Sequence, residues 1–308
     1  MQKVEIVEVG PRDGLQNERV NLSTADKVKF IRGLLASGIK RIEAVSFVRP
    51  DLVPQMADAE QVAAALPRQP DVSYIGLVLN RRGALRALAA GLDELGAVCS
   101  VSDTFARRNQ GQSAEGTLSE CKEIMRMAQQ ASRRAHITIS VAFGCPFEGE
   151  VDPTRVIEMA RAAAAAGATE VSLADSIGVA APGGVAKLVA QTMKAIAPTP
   201  VRVHFHNTRN TGLANVWAAV SAGAATVDAS LGGIGGCPFA PRATGNVPTE
   251  DVVYMLDRSD CTTGIDLAKL IECNEWLGRT LGRELPGMLT RAGVFPKPPV
   301  TSSRGAVQ

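Results

Sequence analysis

The chain has little of several things. Two tryptophans and two tyrosines in 308 residues leave few flat faces on which bases could stack. The 33 basic and 31 acidic residues are interspersed for a net charge of +2, so no basic stripe is available to a phosphate backbone. No nucleic-acid partner is expected. No apolar run reaches the ~18 residues that a membrane-crossing helix needs, and the alanine-rich stretch 159–167 is short, its helix carrying Glu158 and Arg161. No membrane partner is expected either. The six cysteines, at positions 99, 121, 145, 237, 261 and 273, lack the close pairing of a zinc ribbon or a thioredoxin-like motif, which points to reduced thiols in a cytoplasm. The opening MQKVEIVEVG enters a strand pattern without a charged-then-apolar leader, and this argues against secretion.

Histidine is scarce too, at three residues, yet His204 and His206 stand one residue apart in VRVHFHN, 201–207. Alternate side chains of an extended strand share a side, so the two imidazoles converge while Phe205 points away. A His-x-His pair at a strand end suits a divalent cation. A pair of hydrogen-bonded core histidines is the plainer alternative.

With 45% hydrophobic residues the chain can bury a substantial core. Strand patterns fall near 4–9, 41–47, 72–79, 96–101, 137–142, 170–174, 201–206 and 226–230. Helical patterns fall near 23–36, 52–66, 81–90, 117–133, 153–166, 182–196 and 211–222, with a long polar loop after 101. About eight strand-then-helix units with no room for hairpins predict a parallel sheet. The economical closure is an α/β (β/α)8 TIM barrel, with extra C-terminal helices near 249–256 and 265–281. An open doubly wound sheet is the competitor, but it would carry G-x-G-x-x-G after its first strand, and GPRDGLQ is not that. Residues 1–285 read as one catalytic domain. The tail, 286–308, ends in a stretch rich in proline, serine and polar residues that predicts partial disorder.

In such a barrel chemistry sits at the carboxyl ends of the strands. There the sequence places Arg12 and Asp13 after the first strand, Glu43 and Ser46 on the second, and Asp103 and Asn109 after the fourth. Asp175 ends the sixth strand, His204, His206 and Asn207 end the seventh, and Cys237 and Asn246 follow the eighth. Asp13, His204, His206 and Asn246 make a mixed oxygen and nitrogen set suited to Mg2+ or Mn2+, with Zn2+ the runner-up. Asp13 alone could equally cap a turn. Arg12 can stabilise an oxyanion with its fixed fork of donors, or close an ion pair with Glu43 across the barrel mouth. In LGGIGGCPFAPRATGN, 231–246, four glycines precede one cysteine. This reads as a mobile loop able to approach a ligand, in which Cys237 could serve as acid, base or nucleophile or lie buried and inert.

Together the stretches VEVGPRDGLQNE, IEAVSFV, LVPQM, GCPFEG, LADSIGV, VHFHNT and GGIGGCPFA, followed by TGN and TED, resemble the 3-hydroxy-3-methylglutaryl-CoA lyase family. These are metal-dependent barrel lyases related to isopropylmalate synthase, and the likeness runs from about residue 4 to 282. It implies metal ligands at Asp13, His204, His206 and Asn246, a catalytic arginine and glutamate at Arg12 and Glu43, an active-site aspartate at Asp175, and a loop cysteine that moves a proton at Cys237. Gln16 matches a glutamine near metal and substrate. The implied reaction cleaves a tertiary 3-hydroxyacyl-CoA to acetyl-CoA and acetoacetate with no redox cofactor, and the family likeness suggests a homodimer. Ser46 is a further candidate for substrate contact. Asn109 and the pairs Arg107-Arg108 and Arg81-Arg82 are candidates for holding CoA, because phosphates attract guanidinium groups.

The sequence departs from the best-known lyases after the second histidine. Where those read His-Asp-Thr-Tyr-Gly-Gln, this chain has His206-Asn207-Thr208-Arg209-Asn210-Thr211. Arg209 adds a positive charge and Asn207 removes a negative one, which predicts a changed grip on the acyl group and a related substrate such as citramalyl-CoA or a longer branched homologue. A carbon-carbon joining enzyme of the isopropylmalate synthase type and a non-catalytic CoA-binding protein are the competing readings.

Overall fold

The computed structural model describes residues 2–236 and 245–295. Eight strands close a parallel barrel: β1 (Glu5–Glu8), β2 (Arg41–Ser46), β3 (Ser73–Val78), β4 (Glu94–Ser100), β5 (Arg134–Ser140), β6 (Val171–Asp175), β7 (Val201–Phe205) and β8 (Thr226–Ala229). Closure is made by β8 against β1, with Thr226 abreast of Glu5 and Ala229 abreast of Glu8. The (β/α)8 barrel expected from the spacing is the observed fold.

Local signals set most element boundaries. Ser23 accepts the Asp26 N–H and starts the helix Thr24–Ala36, as a short hydroxyl side chain does at an N-cap. Asp152 does the same for Pro153–Ala165, where Pro153 occupies the first turn and the missing N–H costs nothing. Two expectations are corrected. The polar segment after β4 is no loop: Asp103–Gln110 is a helix, capped by Ser102 and ended by Gly111 at φ 71°. Its apolar content is slight, with Phe105 and Ala106 its buried residues, so no periodic stripe marks it in the sequence. The following helix begins at Ala114, three residues before its predicted start, because Ser113 caps it. The second correction is the 52–66 helix, which resolves into a single turn, Pro54–Met56, and a helix Ala59–Ala65. Past the barrel, Thr249–Asp257 and Leu267–Leu281 pack over the turn Leu231–Gly233 that follows β8, and a short helix Leu289–Ala292 packs against both.

The barrel is filled by ions as well as hydrocarbon. Arg41, Glu94, His136, Glu170, Arg202 and Asp228 are all buried. Arg41 holds Glu94 through two donors at 3.1 and 2.6 Å and reaches Glu170 at 2.8 Å. Five of these lie on the strands themselves and Glu170 stands just before β6, so the barrel's own register stacks them beneath the site described next.

Candidate metal and active site

The turn after β1 presents the first two candidate side chains. In Gly10–Gly14 the Val9 carbonyl accepts the N–H groups of Arg12, Asp13 and Gly14, giving a turn wider than an α-helix. Such turns tend to mark functional sites. Glycine is required at both ends: a Cβ on Gly10 would lie 2.5 Å from Glu8 Oε1, and one on Gly14 2.6 Å from Ile234. Arg12 then donates Nη1 to Asp13 Oδ1 at 2.8 Å and Nε to Glu43. A register shift between Glu43 and Val45 in β2 is the kind of irregularity that re-aims a strand side chain.

Asp13 is the hub. Gln16 Nε2 donates to its Oδ1 at 3.3 Å and Asn246 Nδ2 to its Oδ2 at 2.9 Å. Burial pushes its carboxyl up, but Arg12, then His204, His206 and Asn246, outweigh this and hold it below the ordinary value. His204 and His206 lie with ring centroids 5.2 Å apart, on the same side of β7 as their spacing predicts. Burial, helped by His204, pushes His206 down to about 4, so it is a neutral imidazole at pH 7. Ligand atoms of Asp13, His204 and His206 come within 4.8 Å of one another. His206 Nδ1 and Asn246 Oδ1 are buried and lack a hydrogen-bond partner among the described residues. A neutral imidazole, an ionised carboxylate and two unsatisfied buried lone-pair donors fit a divalent cation.

Asn246 arrives from the loop after β8. The backbone bridges His206 to Asn246, and the Asn207 N–H donates to the Gly245 carbonyl at 2.9 Å. Glycines make this approach possible: Gly235 and Gly245 have φ of 118° and 109°, and a Cβ on Gly245 would lie 2.4 Å from the Gly233 oxygen. The described limbs of the loop are therefore pinned. Cys237 lies outside the described residues. The five described cysteines are free and buried.

Two buried carboxylates anchor the base of this loop. Glu8 accepts the N–H groups of Gly10 and Leu231 and the Thr249 hydroxyl, and Glu250 accepts the Gly232 N–H and the Asn274 amide. Burial raises Glu8 to about 7 and Glu250 to about 8, against hydrogen bonds that lower both. A carboxyl raised by folding binds protons that the unfolded chain releases above about 4.5, so its contribution to stability is whole below that pH and is lost as pH rises through the folded value. Glu250→Gln is expected to flatten the fall in urea midpoint between about pH 5 and 8, since the amide oxygen can keep the Gly232 bond. An equal fall in wild type and variant would place that pH dependence elsewhere.

The remaining predicted residues separate. Arg12, Asp13, Gln16, Glu43, Asn109, His204 and His206 line one cavity of about 430 Å³ at the carboxyl ends of the strands. Its lining also includes the apolar side chains of Val48, Leu52, Leu77, Val98 and Phe105. Ser46 is fully buried and is not among the lining residues. Asp175 spends its two oxygens on the N–H groups of Val179 and Ala180, 2.9 Å each, and so shapes the loop after β6. Arg209 donates to the carbonyls of Ile177 and Gly178 at 3.2 and 2.8 Å, exposed and outside the lining. Asn207 Oδ1 accepts the Gly212 N–H, tying down the turn before the next helix. Sequence reasoning missed Asp228, which accepts from His204 Nδ1 at 3.1 Å. The signal was there: an acid inside the β-branched run TVDAS, as Glu43 is in IEAVS.

The HMGL-like family model matches residues 3–277. The chain belongs to the HMGL-like family. It is 44% identical to an (R)-citramalyl-CoA lyase of Chloroflexus aurantiacus, over 96% of this chain and 97% of that one. Among solved structures, the Bacillus subtilis HMG-CoA lyase superposes with a TM-score of 0.91 at 40% identity, covering 95% of this chain and 98% of that one. An Acinetobacter baumannii HMG-CoA lyase in complex with coenzyme A and 3-methylmalate gives 0.91 at 39% identity, with 96% and 98% covered. The family, fold and carbon-carbon lyase class expected from the motifs are thus borne out. No described helix is long and apolar enough to cross a membrane.

Proposed function

We propose that this chain is a divalent-metal-dependent lyase that cleaves 3-hydroxy-3-methylglutaryl-CoA to acetyl-CoA and acetoacetate. The observation that carries this reading is the meeting of Asp13, His204, His206 and Asn246 beside Arg12 at the head of one half-apolar cavity. Asp13, the two histidines and Asn246 would hold Mg2+ or Mn2+, with Zn2+ less suited, and the cation supplies acidity to the substrate hydroxyl and fixes its orientation. As the C2–C3 bond breaks, the hydroxyl would pass its proton to Asp13 or one of the two histidines and become the ketone, and the electron pair of the broken bond would pass to the thioester as an enolate. Arg12, held rigid by Glu43, would donate to the enolate oxygen. Cys237 would return a proton to the carbon that becomes the acetyl methyl. No redox cofactor is needed, since the thioester itself takes up the charge. A homodimer in the cytoplasm completes the reading, checked by light scattering and cell fractionation.

The 44% identity to a citramalyl-CoA lyase favours a second reading, cleavage of citramalyl-CoA to acetyl-CoA and pyruvate. The Asn207 and Arg209 departures do not add to it, because both side chains serve backbone groups outside the cavity lining. Mass spectrometry of products from a panel of 3-hydroxyacyl-CoA thioesters decides between them. The panel includes a longer branched homologue and is run with Mg2+ or Mn2+ and with EDTA. Acetoacetate from methylglutaryl-CoA, abolished by EDTA, is expected. Pyruvate from citramalyl-CoA at higher efficiency would put the second reading first, and no cleavage of any thioester would overturn both.

A further inference from the structure

We propose that Asp228 and Arg202 are positioning residues that fix His204 for metal binding, as the upper end of a hydrogen-bonded chain running through the barrel. The proposal rests on the metal reading of the site above. Asp228, Arg202, His136, Glu94 and Arg41 are buried, and His204, at the rim, is half-buried. Asp228 on β8 stands abreast of His204 on β7 in the strand register. Its Oδ2 takes the His204 Nδ1 at 3.1 Å and its Oδ1 takes the Arg202 Nε. Arg202 Nη1 lies 3.3 Å from His136 Nε2, and His136 Nδ1 lies 2.6 Å from Glu94 Oε1, which is in turn held by Arg41.

Proton placement follows from which atoms can donate. A carboxylate only accepts, so His204 must carry its proton on Nδ1, leaving Nε2 as the nitrogen free to bind a metal. A guanidinium only donates, so His136 Nε2 must accept from Arg202, and its proton also sits on Nδ1, facing Glu94. The tautomer that a metal ligand needs is set by partners that are themselves fixed. Neither Asp228 oxygen can swing away without leaving the buried Arg202 Nε or the half-buried His204 Nδ1 unpaired.

Two measurements test this, one on a variant and one on the natural protein. Mn2+ titration followed by electron paramagnetic resonance is expected to show affinity about 10–100-fold weaker in Asp228→Asn than in wild type. In the Mg2+-saturated wild-type protein, long-range 1H–15N correlation of the three imidazoles is expected to show His204 and His136 protonated on Nδ1. A folded Asp228→Asn protein that binds Mn2+ as tightly as wild type would overturn the proposal. So would a His204 proton on Nε2 in the wild-type spectrum, which decides the matter even if the variant does not fold. Failure of the wild-type protein to bind Mn2+ at all would instead sink the metal reading beneath it.

Discussion

Replacing Arg12 with methionine is expected to lower kcat by about 100- to 1,000-fold, the usual loss when one preorganised oxyanion donor is removed. Metal affinity is expected to survive, because Asp13 keeps its contacts with Gln16 and Asn246 and loses only a competing cation. The substitution also strands Glu43, which is 3% exposed and has Arg12 as its salt-bridge partner. Part of any lost turnover could then come from a damaged fold, since a buried charge without its partner is strongly destabilising. Adding Glu43→Gln to Arg12→Met separates the two effects. The thermal midpoint should recover in the double variant and turnover should not. Turnover within tenfold of wild type in Arg12→Met, at saturating Mn2+ and a thioester that wild type cleaves, would assign Arg12 a structural role only.

Arg12 also shows what a sequence can and cannot display. Its place at a strand end is legible because strand spacing tells which residues reach the barrel mouth, and the same logic brought Asp13, Glu43, Asn109, His204 and His206 into one cavity. Illegible were the partners within that rim. Arg209 stands three residues from His206, yet its guanidinium turns to two backbone carbonyls, because a loop can satisfy its unpaired acceptors with any donor in reach. Asp175 likewise ends a strand but spends both oxygens on backbone. The glycines of 232–236 suggested motion, whereas at Gly235 and Gly245 they permit one limb of backbone to pass against the other. Composition records that glycine is needed and leaves open whether freedom or closeness is the reason.

Beneath the rim lies the part of the fold where a single substitution should cost most in stability. Arg41→Met is expected to destabilise the protein by about 3–5 kcal/mol in urea denaturation, the usual cost of stripping one partner from a buried ion pair. Arg41 is 2% exposed, and its three carboxylate partners differ in their access to water. The Glu5 side chain is 47% exposed and can rehydrate, while Glu94 and Glu170 are 0% and 4% exposed and cannot. Burial pushes Glu94 up, yet His136 and Arg41 hold it well below the usual carboxylate range. Without Arg41 that balance tips toward protonation, so the variant's deficit should shrink as pH falls below about 5. Adding Glu94→Gln and Glu170→Gln should restore much of the loss at neutral pH, because the stranded charges go with their partner. The ions are therefore expected to be worth little as a set and a great deal one at a time. No recovery either at low pH or in the triple variant would mean that the Arg41 side chain matters for the volume it fills and not for its charge. Metal affinity should be kept in all of these variants, since Arg202 and His204 hold Asp228 directly.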